Sequence, residues 1–303
     1  MRSLLFVPAD SEKKLLKSLT SGADVLIFDL EDAVSLARKE AAREILAHFL
    51  ASEVVAQSQT NQSAHKPILY VRVNAIDTGM MLTDLAAVMP MRPAGVVLPK
   101  CRHADDLTQL THYLQAFEAV YPPESGEISQ TSVIPIVTET AGSLAGLDSY
   151  ATALVNIRLK GLMWGAEDLS GDIGALANKF EGSNQWSAPF SFARTRCLLA
   201  AAAAGVAAID TVPTDIHNIE ALRDETKQAF RDGFSAKAAI HPVQVPVINE
   251  AMTPDAQAQA WAAKVVAAFE ASQAVGVATL DGKMLDTPHL RLARKILAAS
   301  DKS

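Results

Sequence analysis

An alternation constrains this chain more than any other feature. Eight short β-rich runs, at residues 3–7, 24–28, 68–73, 95–98, 133–137, 161–164, 207–209 and 238–240, are each followed by a different kind of segment, many of them helix-like and alanine-rich. The last three are weaker strand candidates, because Ala and Gly are poor strand formers. The segment "SLARKEAAREILAHFL" (residues 35–50) carries apolar Leu36, Ala42, Ile45, Leu46 and Phe49. From Ala42 onward the steps are three and four, as one helix face requires. Residues 103–117 and 192–204 are further helix candidates. Strands alternating with helices imply parallel βα units. Eight such units predict an α/β fold, the closed (β/α)8 TIM barrel. The main alternative is a doubly wound open sheet, which in its dinucleotide-binding form needs a glycine fingerprint after the first strand. The first run is followed by "PADSEKK" (residues 8–14), which has no glycine. The stretch "GVATLDGKM" (residues 276–284) has five residues between its glycines and Met where a phosphate loop needs Ser or Thr.

The length of 303 residues exceeds the roughly 250 of a typical barrel. The expected division is a catalytic barrel over 1–250 and a C-terminal helical lid extension over 251–303. Within the extension the pattern predicts a long helix at 255–274, a hairpin-like piece at 275–286 and a last helix at 287–299. Two stretches predict loops: the Ser/Gln/Asn-rich residues 52–66, and "EGSNQWSAP" (residues 181–189), placed to cover a barrel mouth. With 27 Lys and Arg against 34 Asp and Glu, the formal charge is 27 − 34 = −7. That argues against nucleic-acid binding and against a polybasic membrane-surface protein. The longest apolar stretch, residues 198–209, is too short to span a bilayer. Cys101 and Cys197 show no zinc spacing or disulfide framework. A cytoplasmic location with reduced thiols is the expectation.

The chemistry gathers at the C-terminal ends of the strands, where barrel active sites are built. Successive runs end in Asp29-Leu30-Glu31-Asp32, Arg72-Val73-Asn74, Pro99-Lys100, Thr138-Glu139-Thr140, Glu167-Asp168, Asp210 and His241-Pro242. If the strands are parallel, these charges converge on one rim. Carboxylates beside an Arg and a Lys suggest a hard divalent cation and an anionic substrate. Magnesium takes one or two carboxylates plus water and substrate oxygens, and Glu139 and Asp168 suit that count. Arg72 would meet a carboxylate or thioester oxygen as a fork of donors. His241 is open to a structural or a catalytic reading.

Seven motifs in order, "RSLLFVPA" (2–9), "FDLEDAV" (28–34), "VRVNAID" (71–77), "LPK" (98–100), "WGAEDL" (164–169), "AIDTV" (208–212) and "DGKMLDTP" (281–288), resemble the HpcH/HpaI aldolase/citrate lyase family. The branch resembled is that of the citrate lyase β-subunit-like CoA-ester lyases. The resemblance implies a Mg2+-dependent TIM barrel, usually a homotrimer or hexamer. It also implies carbon–carbon cleavage or condensation of a β-hydroxyacyl thioester such as malyl-CoA or citramalyl-CoA, giving an acyl-CoA and a 2-oxo acid. The family's metal-binding residues fall on Glu139 and Asp168, its substrate-binding Arg on Arg72 and its lid Asp on Asp286. Arg72 and Asp286 are then the catalytic pair: Arg72 stabilises charge on the thioester oxygen and Asp286 exchanges a proton with the enolate carbon. The lid is expected to cover a neighbouring subunit's barrel. Glu31 and Asp32 are expected to orient metal-bound water or Arg72. For Asp286 a helix-capping role before Thr287-Pro288 competes. Thr138 departs from the Ile or Val common in relatives, and is close in size. Lys13, Lys14 and Lys17 are plausible contacts for CoA phosphates. Alternative activities are those of a citrate lyase β subunit acting on citryl-acyl carrier protein, a malyl-CoA thioesterase, or a non-enzymatic scaffold that binds CoA esters.

Overall fold

In the computed structural model, which describes residues 1–60, 65–123, 130–152, 158–272 and 276–300, the chain divides into two compact units, Met1–Ile248 and Asn249–Ser303. The first unit holds eight parallel strands: β1 (Ser3–Pro8), β2 (Val25–Asp29), β3 (Ile68–Arg72), β4 (Gly95–Leu98), β5 (Ser132–Pro135), β6 (Gly161–Met163), β7 (Ala207–Asp210) and β8 (Ala236–Ala239). They run in the order β5-β4-β3-β2-β1-β8-β7-β6. Parallel bridges Val133–Leu159 and Ile136–Met163 join the two ends. The Val137 N–H, 2.9 Å from the Met163 carbonyl, completes that seam. The sheet is thus a closed barrel, with no edge left for another chain to pair with.

Helices fill the connections: α1 (Glu12–Ser18), α2 (Lys39–Leu50), α3 (Glu53–Thr60), α4 (Met81–Val88), α5 (Ala104–Val120), α6 (Ala141–Gly146), α7 (Glu167–Ile173), α8 (Ala188–Ala204), α9 (Ile219–Asp232) and α10 (Val245–Ala251). Because side chains alternate across a strand, one set faces the barrel axis. Leu4, Val25, Ile27, Tyr70, Val97, Ile134, Ile136, Met163, Ile209, Ala236 and Ala238 form that inner cluster. The other set, including Leu5, Leu26, Phe28, Val71, Val96 and Leu162, is also buried. Strands covered on both faces read as nearly continuous apolar runs, which explains the sequence pattern. Gly95 is an inner position where a Cβ would lie 2.0 Å from the Tyr70 ring, so the missing side chain makes room for Tyr70. The Tyr70 hydroxyl reaches the Ser132 hydroxyl at 3.0 Å across the interior.

Several sequence expectations need correction. Residues 53–60 of the predicted loop form α3, held by the buried Val55 and by Ser58 donating to the Val55 carbonyl; residues 61–64 lie outside the described residues. Leu36, one of the apolar residues of this segment, is exposed, whereas Lys39 and Arg43 are buried. Lys39 donates to the Leu30 and Glu31 carbonyls at 2.7 and 2.8 Å, and Arg43 donates to Asp84 at 2.7 Å. These charges are held by fixed partners, which periodicity does not reveal. The helix expected at 192–204 begins at Ala188, with Pro189 in its first turn, where its missing N–H costs nothing.

The second unit contains α11 (Ala256–Ala271), an antiparallel hairpin of β9 (Val277–Leu280) and β10 (Lys283–Asp286), and α12 (Thr287–Ser300). The hairpin turns at Asp281 and Gly282, both at positive φ (49° and 74°), as a two-residue hairpin loop needs. Ala262, Val265, Leu285 and Ala293 form its core. Among the described residues no helix is long and apolar enough to cross a membrane. Cys101 and Cys197 are free and buried.

Candidate active site

A cavity of about 190 Å³ opens among the turns that follow the strands, lined by Asp29, Arg72, Glu139, Glu167 and Asp168 and walled by Pro8, Met163, Val212 and Ile240. Five of the six residues singled out from sequence belong to the barrel unit's carboxylate and arginine cluster at this mouth: Arg72, Glu139 and Asp168 on the cavity lining and, one step behind it, Glu31 and Asp32.

Arg72 and Asp29 are direct neighbours in the β2–β3 register. Both are inner-face positions, two residues beyond Tyr70 and Ile27. Asp29 therefore takes the guanidinium as a fork, Arg72 Nε to Oδ1 at 2.7 Å and Nη2 to Oδ2 at 2.6 Å. Glu31 Oε2 forms an ion pair with Nη1 at 3.0 Å. The Phe6 ring lies 4.8 Å from the guanidinium carbon. Burial acts against Arg72's charge, but Asp29 and Glu31 outweigh it and drive the guanidinium's proton affinity upward. Asp29 also accepts the N–H groups of Glu31 (2.8 Å) and Ala33 (3.1 Å), so it fastens the turn after β2 as well as Arg72. Behind that turn, Asn74 donates to the Leu30 carbonyl at 3.1 Å.

Lys100 occupies the centre of the carboxylates. Its ammonium lies 2.5 Å from Glu31, 3.3 Å from Asp32 and 3.9 Å from Asp168. Its backbone N–H donates to Glu139. One residue serves both because it adopts a left-handed backbone, φ +52°, a conformation that costs a non-glycine residue about 1 kcal/mol or more and clusters at functional sites. Glu139 is buried, and burial together with the Asp168 charge pushes its carboxyl up to about 8 against the pull of Arg72. Burial likewise pushes Glu31 up, while for Asp32 the bonds to Glu31 and Lys100 outweigh burial and hold it below the ordinary value. Glu31 thus meets Arg72 directly, whereas Asp32 is half-exposed and meets Lys100.

Two rim residues fall elsewhere. Asp210 is buried among the outward-facing side chains, accepting from Trp164 Nε1 and Lys237 Nζ, each at 2.7 Å. Ile209 faces the axis, so the next residue must face the helices. His241 caps the turn that leads into α10, accepting the Val243 N–H at 3.2 Å, with Gln244 returning the bond. In the second unit Asp286 is exposed at the start of α12, and its Oδ1 lies 2.5 Å from His289 Nδ1. Sequence reasoning gave no role to Asp29 or His289. Strand parity points to Asp29, and i,i+3 spacing on a helix start points to His289. Lys13, Lys14 and Lys17 are exposed on α1.

The sequence matches the family HpcH/HpaI aldolase/citrate lyase over residues 2–242 and the C–C bond lyases of the TIM-barrel fold over residues 189–302. Citrate lyase subunit beta of Haemophilus influenzae is 32% identical over 298 residues, spanning 98% of this chain and 95% of the relative. A (3S)-malyl-CoA thioesterase of Cereibacter sphaeroides is 31% identical over 304 residues, spanning 99% and 94%. The solved CitE protein of Mycobacterium tuberculosis, in complex with magnesium, acetoacetate and coenzyme A, is similar with a TM-score of 0.76 at 31% identity, spanning 99% of this chain and 98% of that one.

Proposed function

The chain belongs to the HpcH/HpaI aldolase/citrate lyase family and is an enzyme of the carbon–carbon lyase type; from that premise we propose that it cleaves or forms a β-hydroxyacyl-CoA thioester such as citramalyl-CoA or malyl-CoA, with Mg2+ at Glu139 and Asp168. The observation that carries this is the buried Arg72, clamped by Asp29 and Glu31 on the wall it shares with Glu139 and Asp168.

The donor chemistry fits the ion. Five carboxylates (Asp29, Glu31, Asp32, Glu139 and Asp168) crowd two cations (Arg72 and Lys100), a formal excess of 5 − 2 = 3 negative charges. The donors are all oxygen, as magnesium prefers. Among the described residues no group of three or more His, Cys, Asp or Glu converges as a metal cluster. Two protein carboxylates would leave positions for water and substrate oxygens. When bound, magnesium supplies a Lewis acid and a template for the hydroxyl and carboxylate of the acyl group.

The chain's own residues account for the rest. In cleavage the bond between the carbinol carbon and the thioester α-carbon breaks. The hydroxyl gives its proton to one of the carboxylates at the mouth as its carbon becomes the carbonyl of the 2-oxo acid, and the electron pair passes to the thioester as an enolate. Arg72 is held to meet that developing charge on the thioester oxygen, a preorganised donor that need not reorient during the reaction. Asp286 returns a proton to the α-carbon once the C-terminal unit of a neighbouring subunit closes over the mouth and excludes water. His289 orients that carboxylate. Glu31 orients Arg72, and Asp32 orients Lys100.

Turnover of a panel of CoA esters with magnesium, with product detection, tests the activity. Glu139→Ala should abolish it; a mutant with wild-type rate and metal affinity would defeat the site assignment. Mixed oligomers of Asp286→Ala and Arg72→Ala chains should recover activity if the lid is shared. The similarity to a malyl-CoA thioesterase favours a second outcome, release of free CoA and malate in place of acetyl-CoA and glyoxylate. The similarity to a citrate lyase beta subunit favours a third, in which an acyl carrier subunit co-purifies.

A further inference from the structure

We propose that the Thr138 hydroxyl is the positioning group that sets the metal-holding pair, by fastening the turn after β6 to the turn after β5. The inference rests on the proposed assignment of Glu139 and Asp168 to the metal. Those two residues stand on different turns, and their separation depends on how the turns are joined. Main-chain bonding across this seam reaches the Val137 N–H and the Met163 carbonyl. One residue further on, β6 bonds to its other neighbour, the Trp164 N–H donating to the Ile209 carbonyl. At the next step the Thr138 side chain spans the seam. Its Oγ1 accepts the Gly165 N–H at 3.0 Å and donates to the Gly165 carbonyl at 3.2 Å. Thr138 is fully buried, so water cannot substitute for it. An aliphatic side chain of the same shape would leave both groups of Gly165 without that partner.

Gly165 is where this fastening reaches the carboxylates. A Cβ at Gly165 would lie 2.9 Å from Glu139 Cγ and 3.3 Å from Ile136 Cγ2. The Gly165 backbone is therefore the surface on which the Glu139 side chain rests. Three residues later the same turn delivers Asp168 in the first turn of α7. Thr138 precedes Glu139 in sequence and holds the segment that leads to Asp168. By size alone Thr138 matches the Ile or Val common in relatives; in this chain its hydroxyl takes on a task that those side chains do not perform, bonding both groups of Gly165. Capping of α6 belongs to the next threonine, Thr140, which pairs with Ser143.

The test measures metal binding directly, with no thioester present: Mg2+ by calorimetry and Mn2+ by electron paramagnetic resonance. Thr138→Val should weaken binding about 10–100-fold, the range for partners that orient metal ligands. Saturating magnesium should then restore kcat while KM for the thioester stays unchanged, which a general structural defect would not produce. Thr138→Ser keeps the hydroxyl and should bind within about threefold of wild type. Glu139→Gln separates the two levels. If Glu139→Gln loses metal binding and Thr138→Val retains it, the positioning role is overturned. If Glu139→Gln binds as wild type, the metal assignment falls and this inference with it. Should Thr138→Val fail to fold, Thr138→Cys provides a weaker hydrogen-bonding group of similar size; wild-type metal affinity in that variant overturns the proposal, and weakened affinity supports it.

Discussion

Asp29→Asn changes one buried oxygen to nitrogen and removes one charge, and its cost can be worked from the contacts. Asp29 receives Arg72 at 2.7 and 2.6 Å and two backbone N–H groups at 2.8 and 3.1 Å. The Asp29 and Arg72 side chains are 1% and 12% exposed, so this is a buried pair. Removing one partner of such a pair costs about 3–5 kcal/mol. Glu31 remains 3.0 Å from Arg72 Nη1, which favours the lower end, about 3 kcal/mol. The amide oxygen can serve one side of the former carboxylate. Each Asp29 oxygen accepts one Arg72 N–H and one backbone N–H, so the amide nitrogen faces both kinds of donor; the clash with the backbone N–H adds a further cost of about 1 kcal/mol. The total is about 4 kcal/mol; at about 2–4 °C per kcal/mol for a unit of this size, the melting temperature should fall by roughly 8–16 °C. Arg72 would also lose its fixed direction, and kcat should fall at least about tenfold, short of the 10²–10³ loss for removing an oxyanion donor outright. Thermal melting and steady-state turnover of the purified variant measure both. A variant melting within about 2 °C of wild type, with kcat unchanged, would refute the reasoning that Asp29 holds Arg72.

Other outcomes follow from the same contacts. Burial raises the Glu118 carboxyl, but the hydrogen bonds and charge of Arg158 and the Thr131 N–H outweigh it, holding the group below its ordinary 4.5. A depressed folded-state value adds stability above the unfolded value and loses it as pH falls through the folded one. The urea stability gap between wild type and Glu118→Gln should therefore be widest near neutrality and close as pH drops below 4.5; a gap independent of pH would contradict this. Lys237 is fully buried against Asp210 at 2.7 Å, so Lys237→Met should cost about 3–5 kcal/mol in urea unfolding, and adding Asp210→Leu should recover part of it. Magnesium at about 100 times its dissociation constant should stabilise the native protein by about 2.7 kcal/mol, read as a thermal shift that EDTA reverses and Glu139→Ala lacks. His289→Ala should lower kcat while leaving the melting temperature and metal affinity unchanged, because its contact with Asp286 is exposed in the C-terminal unit.

Much of the site is legible in the amino-acid sequence because strand ends are local features. A run such as "VLIFD" ends where its apolar residues end, and parallel strands bring such ends to one rim. That reasoning brings Arg72, Glu139, Asp168 and Glu31 into view. It errs with Asp210 because it counts charged residues at strand ends without tracking which face each one takes. Parity separates the cases: Asp29 follows Ile27 by two residues and faces in, while Asp210 follows Ile209 by one and faces out. The loop expected at 52–66 fails over 53–60 for another reason. Polar composition marks exposure, and α3 is a largely exposed helix anchored by one buried valine.

The order of β and α segments, the barrel they close and the residue types at its rim were therefore determined by the amino-acid sequence. Each depends on near-neighbour geometry, the 2.0 and 3.6 periods of side-chain direction. Which carboxylate takes Arg72, why Lys100 stands among Glu31, Asp32 and Asp168, and how Thr138 reaches Gly165 were decided only by tertiary structure. Those contacts join residues 27 to 69 positions apart. They arise from the register of neighbouring strands and the exclusion of water from the mouth, which local propensity does not encode.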